Sequence, residues 1–282
     1  MPTNAIRTGT IRIGVVAPAS RIDQALAGQV KTVAEGLGGD RAVELRFHAQ
    51  CFLKSGHFAG DDAARRAAFI ETANDPELDA VWFARGGYGS CRLTEGLVDE
   101  LTETARAKSY LGYSDMGSLL AMLYGAGFKH LAHGPMPSDI KRPGGEAAVA
   151  RSLAYLTDRA DWTHEPSVDG ATPTAAFNIT ILSHLIGTPL QPDLAGHVLM
   201  LEEIDEEMYR IDRALCHITS NPAMREVAGI RLGRCSAVPD NDPPFERTEE
   251  EVVTDWCARA GIPYLGRADI GHDIDNKVVP FG

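Results

Sequence analysis

The chain has 282 residues, 44% of them apolar and 23% charged, with a formal net charge of −12. That length sits near the limit of a single hydrophobic core, so two domains are expected. Lys and Arg are dispersed, which leaves a nucleic-acid backbone no basic surface to bind, and no apolar stretch approaches the roughly 20 residues that cross a bilayer.

In chain order, Ile11–Ala17 is a compact apolar run ending at Pro18, the pattern of a buried parallel strand. It is too short for the apolar region of a signal peptide. Val43–Phe47 alternates like a second strand, and Asp61–Asn74 reads as a helix opened by two aspartates. Ala80–Ala84 is a further apolar strand, followed at once by Arg85-Gly86-Gly87-Tyr88-Gly89 and a predicted helix over Leu93–Leu101. Ser109–Gly112 is a short strand, and Met116–Ala126 a helix closed by Gly127. Strands alternating with helices over 1–135 predict a layered α/β domain with a largely parallel sheet. Residues 136–173, broken by Pro137, Pro143 and Gly144-Gly145, read as linker and loop around a helix at Glu146–Thr157. A smaller α/β domain is predicted over 174–282. Its elements are a helix at Asn178–Leu185, a strand at His197–Leu201, a helix at Met208–Ile218, a strand at Gly229–Leu232, a helix at Glu249–Arg259 and a terminal strand at Lys277–Val279.

Cys51, Cys91, Cys216, Cys235 and Cys257 show no C-x-x-C spacing, so they read as reduced cysteines of a cytoplasmic protein. Neither H-E-x-x-H nor a Walker lysine occurs, and no metal or cofactor is expected.

Two strand ends carry candidate chemistry. Ser114 stands between a short strand and a helix, where a sharp turn exposes a hydroxyl and aims the following N–H of Asp115 at a developing oxyanion. Read blandly, Ser114 or Asp115 caps the next helix. The Gly86-Gly87 loop is either a tight turn or a second oxyanion donor. Glu202 and Glu203 follow a strand and point to opposite sides, unless both belong to a solvated acidic run. His272 lies in a glycine-rich loop, either exposed or aimed by Gly271.

Five strings occur in a telling order: A-R-G-G-Y-G at 84–89, G-Y-S-D at 112–115, H-G-P-M at 133–136, L-E-E with Y-R-I-D-R at 201–213, and G-H-x-x-x-N-x-x-x-P-x-G at 271–282. Together with V-V-A-P-A-S at 15–20 they resemble the LD-carboxypeptidase family of serine peptidases, which also includes immunity peptidases that inactivate microcin C-type compounds. The resemblance implies Ser114 as nucleophile, His272 as base and Glu202 as the carboxylate that orients it. It places the oxyanion hole at Asp115 and at Gly86 or Gly87, and the active site between two domains. It further implies release of D-alanine from murein tetrapeptide, a cytoplasmic location and a homodimer. Arg85 is then a candidate for the substrate's terminal carboxylate, or else a buttress for the glycine loop. Ala176-Phe177 stands where relatives often carry two glycines, so Phe177 either lines a substrate channel or fills core. The chain stops directly after P-x-G, where relatives typically continue. An immunity-type peptidase acting on a peptidyl nucleotide amide, with Trp162 or Phe177 for stacking, and a non-catalytic ligand-binding protein are the competing expectations.

Overall fold

The computed structural model describes residues 9–37 and 41–282; the first eight residues of the N-terminal segment read above lie outside the described residues. The first sheet is built from β1 (Ile11–Val16), β2 (Val43–Phe47), β3 (Ala80–Phe83), β4 (Ser109–Gly112) and β5 (Leu131–His133), all parallel. Helices α1 (Gln24–Gly36), α2 (Asp62–Asn74), α3 (Glu103–Arg106), α4 (Gly117–Gly125) and α5 (Gly145–Asp158) accompany it. The second sheet is also parallel, in the order β6 (Thr174–Asn178), β7 (Val198–Ile204), β8 (Gly229–Ser236) and β9 (Tyr264–Arg267). It carries α6 (Ile179–Leu185), α7 (Met208–Ser220) and α8 (Glu249–Ala260). The final strand, β10 (Val279–Pro280), crosses back and pairs antiparallel with β5, giving the first sheet the order β10-β5-β4-β3-β1-β2. The expected architecture is therefore present: a layered, largely parallel α/β unit followed by a smaller α/β unit.

Period-two alternation splits each buried strand between two layers. On β3, Ala80 and Trp82 join Ile13, Val15 and Leu111 beneath Val149 and Leu153 of α5, whereas Val81 and Phe83 face Phe69 and Tyr110. That second layer runs on without a break through α4 into Phe177, Leu199, Leu201 and Leu232 of the second unit. Burying each such side chain contributes about 2 kcal/mol, so separating the two sheets would expose a costly apolar surface.

Several elements differ from their sequence expectation. The predicted helix over Leu93–Leu101 is absent; two short 3-10 turns, Ser90–Leu93 and Val98–Glu100, occupy the segment. Gly96 between them adopts φ +61°, which no helix accommodates. Helix α1 was not anticipated, although Asp23 caps it by accepting from Leu26 N (2.8 Å) and Leu26, Ala27, Val30 and Ala34 mark its buried face. Strand β6 was also missed, because all five of its residues are buried and show no alternation. Strand β7 continues to Ile204, three residues past the predicted end, and so holds Glu202 and Glu203 inside the sheet.

His133 ends β5, is 1% exposed, and ties the two halves through Asn276. Asn276 Oδ1 accepts from Gly271 N (3.2 Å), so His133 Nε2, 3.2 Å away, is the donor. Burial pushes this imidazole down to about 4, outweighing the nearby Glu202 charge. The unfolded chain takes up a proton near the ordinary imidazole value of 6.5, while the folded chain resists until about 4. Stability at His133 is therefore lost as pH falls through that window. Denaturant unfolding should show the native protein losing about 3 kcal/mol more than His133→Asn between pH 7 and pH 4; parallel losses would refute the assignment.

Candidate active site

Ser114 sits two residues past the end of β4 with φ +60°, a left-handed backbone that non-glycine residues rarely adopt. Such strain places a side chain where a relaxed strand-to-helix turn would not. The turn is locked from below by Asp115, which is 1% exposed. Its carboxylate accepts from Ser90 N (2.9 Å), and its carbonyl accepts from Ser90 Oγ (2.6 Å). Burial raises the Asp115 carboxyl above its usual range, against the pull of those bonds. Asp115 thus sews the Ser114 turn to the glycine loop after β3.

That loop is pinned a second time by Arg65 of α2, whose side chain is fully buried. Its guanidinium donates to Gly89 O (2.9 Å) and to Pro18 O, and it pairs with Asp62. Gly86 lies directly against Ser114: a Cβ at Gly86 would stand 2.9 Å from Ser114 Cβ and 3.0 Å from Oγ. A Cβ at Gly87 would meet Ser20 instead. The N–H groups of Gly86, Gly87 and Asp115 make no hydrogen bond to another segment among the described residues.

The histidine and carboxylate come from the second unit. Leu201 pairs with Leu232 and Glu203 with Cys235, so Gly233 and Arg234 of β8 together oppose Glu202, a bulge beside the site. Glu202 is 0% exposed, and its Oε2 lies 2.6 Å from His272 Nδ1. Neither Glu202 Oε1 nor His272 Nε2 has a partner among the described residues. Burial opposes protonation of His272, but the charge and hydrogen bond of Glu202 outweigh it and raise the ring above its ordinary value. Asn276 braces the His272 loop through Gly271 N, and Arg151 of α5 donates to Ile274 O (2.9 Å) and Asn276 O (2.8 Å). Arg234 pairs with Asp269 (2.6 Å) and with Asp273 from the bulged strand.

Glu203 is no surface acid either. It is 2% exposed and accepts from Asn178 Nδ2 (2.5 Å), Thr180 N (2.8 Å) and Ile204 N (2.9 Å), fixing the turn from β6 into α6. Neither glutamate belongs to a solvated run, and the alternation expected of them holds.

Ser114, His272, Arg85, Gly86 and Gly87 line one cavity of about 370 Å³, with Tyr113, Met136, Asp139, Lys141 and Arg142 on its other walls. Arg85 is exposed, donates to Arg21 O (3.3 Å) and makes no ion pair among the described residues, so it is not a salt-bridged buttress. Phe177 is absent from the cavity wall. It is 1% exposed, packs edge-on against Phe281 with ring centroids 5.2 Å apart and abuts Gly117, so the substrate-lining role is corrected to core filling. Trp162 is 63% exposed and also lies outside the cavity. Sequence reasoning did not single out Tyr113, Asp139 or Arg142. Tyr113 OH donates to Asp139 Oδ1 (2.8 Å), and the Tyr113 ring lies 4.7 Å from that of His272. The signal present was Asp139 three residues before Arg142 in the proline-punctuated segment.

Comparison with known proteins follows the same division. The profile of the LD-carboxypeptidase N-terminal domain matches residues 13–134, and that of the C-terminal domain matches 173–282. A Synechocystis sp. protein provisionally named a carboxypeptidase is 31% identical over 85% of this chain and 79% of its own length. The murein tetrapeptide carboxypeptidase of Pseudomonas aeruginosa is 26% identical over 96% of this chain and 91% of its own. Among solved structures, the muramoyltetrapeptide carboxypeptidase of Oxalobacter formigenes superposes with a TM-score of 0.78 at 24% identity, covering 95% of this chain and 93% of that one. The microcin immunity protein MccF, bound to glutamyl sulfamoyl guanosine, gives 0.77 at 18% identity, covering 96% and 91%.

The packing of Gly86 yields a direct test. A methyl group at Gly86→Ala would collide with a serine whose backbone has no freedom to retreat. Fluorophosphonate labelling of Ser114, followed by intact mass, should slow about 100-fold or more while the thermal midpoint stays near native. An unchanged labelling rate would show that the Gly86 backbone does not shape the site.

Proposed function

The chain belongs to the LD-carboxypeptidase family of serine peptidases, and on that premise we propose that it hydrolyses the L,D-peptide bond releasing the terminal D-alanine of murein tetrapeptide. The observation that carries the reading is the buried Glu202–His272 pair opening on the same cavity as Ser114. His272 takes the Ser114 proton as Oγ attacks the scissile carbonyl carbon. Glu202 holds the ring through Nδ1, leaving the partnerless Nε2 as the proton acceptor. The oxyanion falls among the N–H groups of Asp115 and the Gly86-Gly87 pair, each donor being worth about 3 kcal/mol. His272 then passes its proton to the departing amine, and water, deprotonated by the same ring, clears the acyl-enzyme.

The murein reading is supported by the names of relatives that align along most of the chain, in Pseudomonas aeruginosa and in Bacillus subtilis (29% identity over 96% of this chain). A nucleotide-conjugate substrate would want an aromatic platform. Neither Trp162 nor Phe177, the two residues expected to stack on it, lies at the cavity. The reading places the enzyme in the cytoplasm as a homodimer. Five free cysteines suit that compartment, and no helix among the described residues is long and apolar enough to cross a membrane.

Incubation with murein tetrapeptide should release free D-alanine, and Ser114→Ala should lower kcat by about 10⁴-fold or more with the fold retained. Release by the alanine variant at the native rate would remove Ser114 from the mechanism. Efficient Ser114 labelling without D-alanine release would redirect the search to another acyl substrate.

A further inference from the structure

A carboxypeptidase must measure the distance from its nucleophile to a free chain end. Three cations line the cavity: Arg85, Lys141 and Arg142. They differ in how they are held. Arg85 is exposed and, among the described residues, steadied only by the carbonyl of Arg21 at 3.3 Å. Lys141 is half-exposed and already paired with Asp23 (3.0 Å).

Arg142 is anchored differently. Its Nε donates to Asp139 Oδ1 at 3.1 Å, and Asp139 is 3% exposed. Beyond that bond and the neighbouring Tyr113 hydroxyl, Arg142 has no polar side-chain partner among the described residues. Asp139 is itself immobilised: Oδ2 accepts from Met136 N (2.8 Å), and Oδ1 accepts from Tyr113 OH (2.8 Å) as well as from Arg142. Tyr113 is the residue before Ser114 and is 2% exposed. A continuous covalent and hydrogen-bonded chain therefore runs Ser114, Tyr113, Asp139, Arg142. It fixes the guanidinium relative to the nucleophile.

We propose that Arg142, rather than Arg85, is the carboxylate clamp that makes this cavity select the free end of a peptide, with the Tyr113–Asp139 link setting its distance from Ser114. The site takes a carboxylate borne on the leaving side of the scissile bond. A guanidinium fixed at Nε offers its remaining N–H groups as a fork, and a carboxylate matches that fork with two hydrogen bonds. Lost rotamer freedom, the usual cost of ordering an arginine on a ligand, is already met by Asp139. The proposal rests on the serine-peptidase reading above, and Arg142 acts by binding rather than by chemistry.

Two fluorophosphonates test it, one bearing a short arm that ends in a carboxylate and its primary-amide twin. In both, Ser114 Oγ bonds to phosphorus, fluoride leaves, and the serine proton passes to His272, so only the distal group differs. The native protein should be labelled about 10- to 100-fold faster by the carboxylate probe, the discrimination expected of a charge-assisted pair. Arg142→Gln should bring the ratio close to one, Arg142→Lys should leave an intermediate ratio, and Arg85→Gln should keep the native ratio. The lysine variant decides the matter if the glutamine variant does not fold. A native ratio in both Arg142 variants, or a collapse confined to Arg85→Gln, overturns the clamp while leaving the nucleophile standing. Folded native protein that neither probe labels overturns both.

Discussion

The active site depends on one buried hydrogen bond, between Glu202 Oε2 and His272 Nδ1, at 2.6 Å. A carboxylate with no exposed surface costs several kcal/mol unless something nearby compensates it. The imidazole supplies that compensation, and in doing so it becomes more basic. The interaction that makes Glu202 tolerable inside the sheet is therefore the one that prepares His272 to take a proton. Stability and chemistry are coupled at this pair, and removal of either partner would leave a buried polar group exposed to the full desolvation cost.

His272 lines the same cavity as Ser114 because two sheets share a continuous apolar layer and are stitched at several polar points. His133 on β5 meets Asn276, Arg151 on α5 holds the carbonyls of the His272 loop, and β10 crosses back beside β5. On the opposite side, Asp115, Ser90 and Arg65 hold the glycine loop against the Ser114 turn. Each half of the proposed catalytic group is thus held within its own sheet, and the packed interface sets the distance between them. On the proposed mechanism this is preorganisation, which leaves little reorganisation for the reaction to supply.

Much of this was legible in the sequence because strand ends leave clear marks. An apolar run followed by glycines or by a small polar residue located the Gly86 loop, Ser114 and the Glu202-Glu203 pair, and the ordered motifs linked them. What escaped depended on tertiary context. Full burial of β6 erased the alternation that marks a strand. The helix expected over Leu93–Leu101 gave way to turns because Gly96 needed a left-handed backbone. Phe177 had two possible homes, and only the packing of Phe281 and Gly117 around it decided for the core. Asp139 and Arg142 looked like ordinary charges in a proline-rich segment. Their meaning came from Tyr113, a residue 26 positions earlier in sequence whose hydroxyl reaches Asp139.

The central claim is that His272, made basic by Glu202, activates Ser114. The pH profile of Ser114 labelling by a neutral fluorophosphonate tests it most directly, because the reaction needs the ring deprotonated and needs no particular peptide. The rate should rise with pH through a single midpoint above the ordinary imidazole value of 6.5, as the raised His272 requires. In Glu202→Gln, burial is no longer opposed by the carboxylate, so the midpoint should move below that value while the plateau rate falls. A midpoint that stays in place in the glutamine variant, or labelling that ignores pH, would contradict the account.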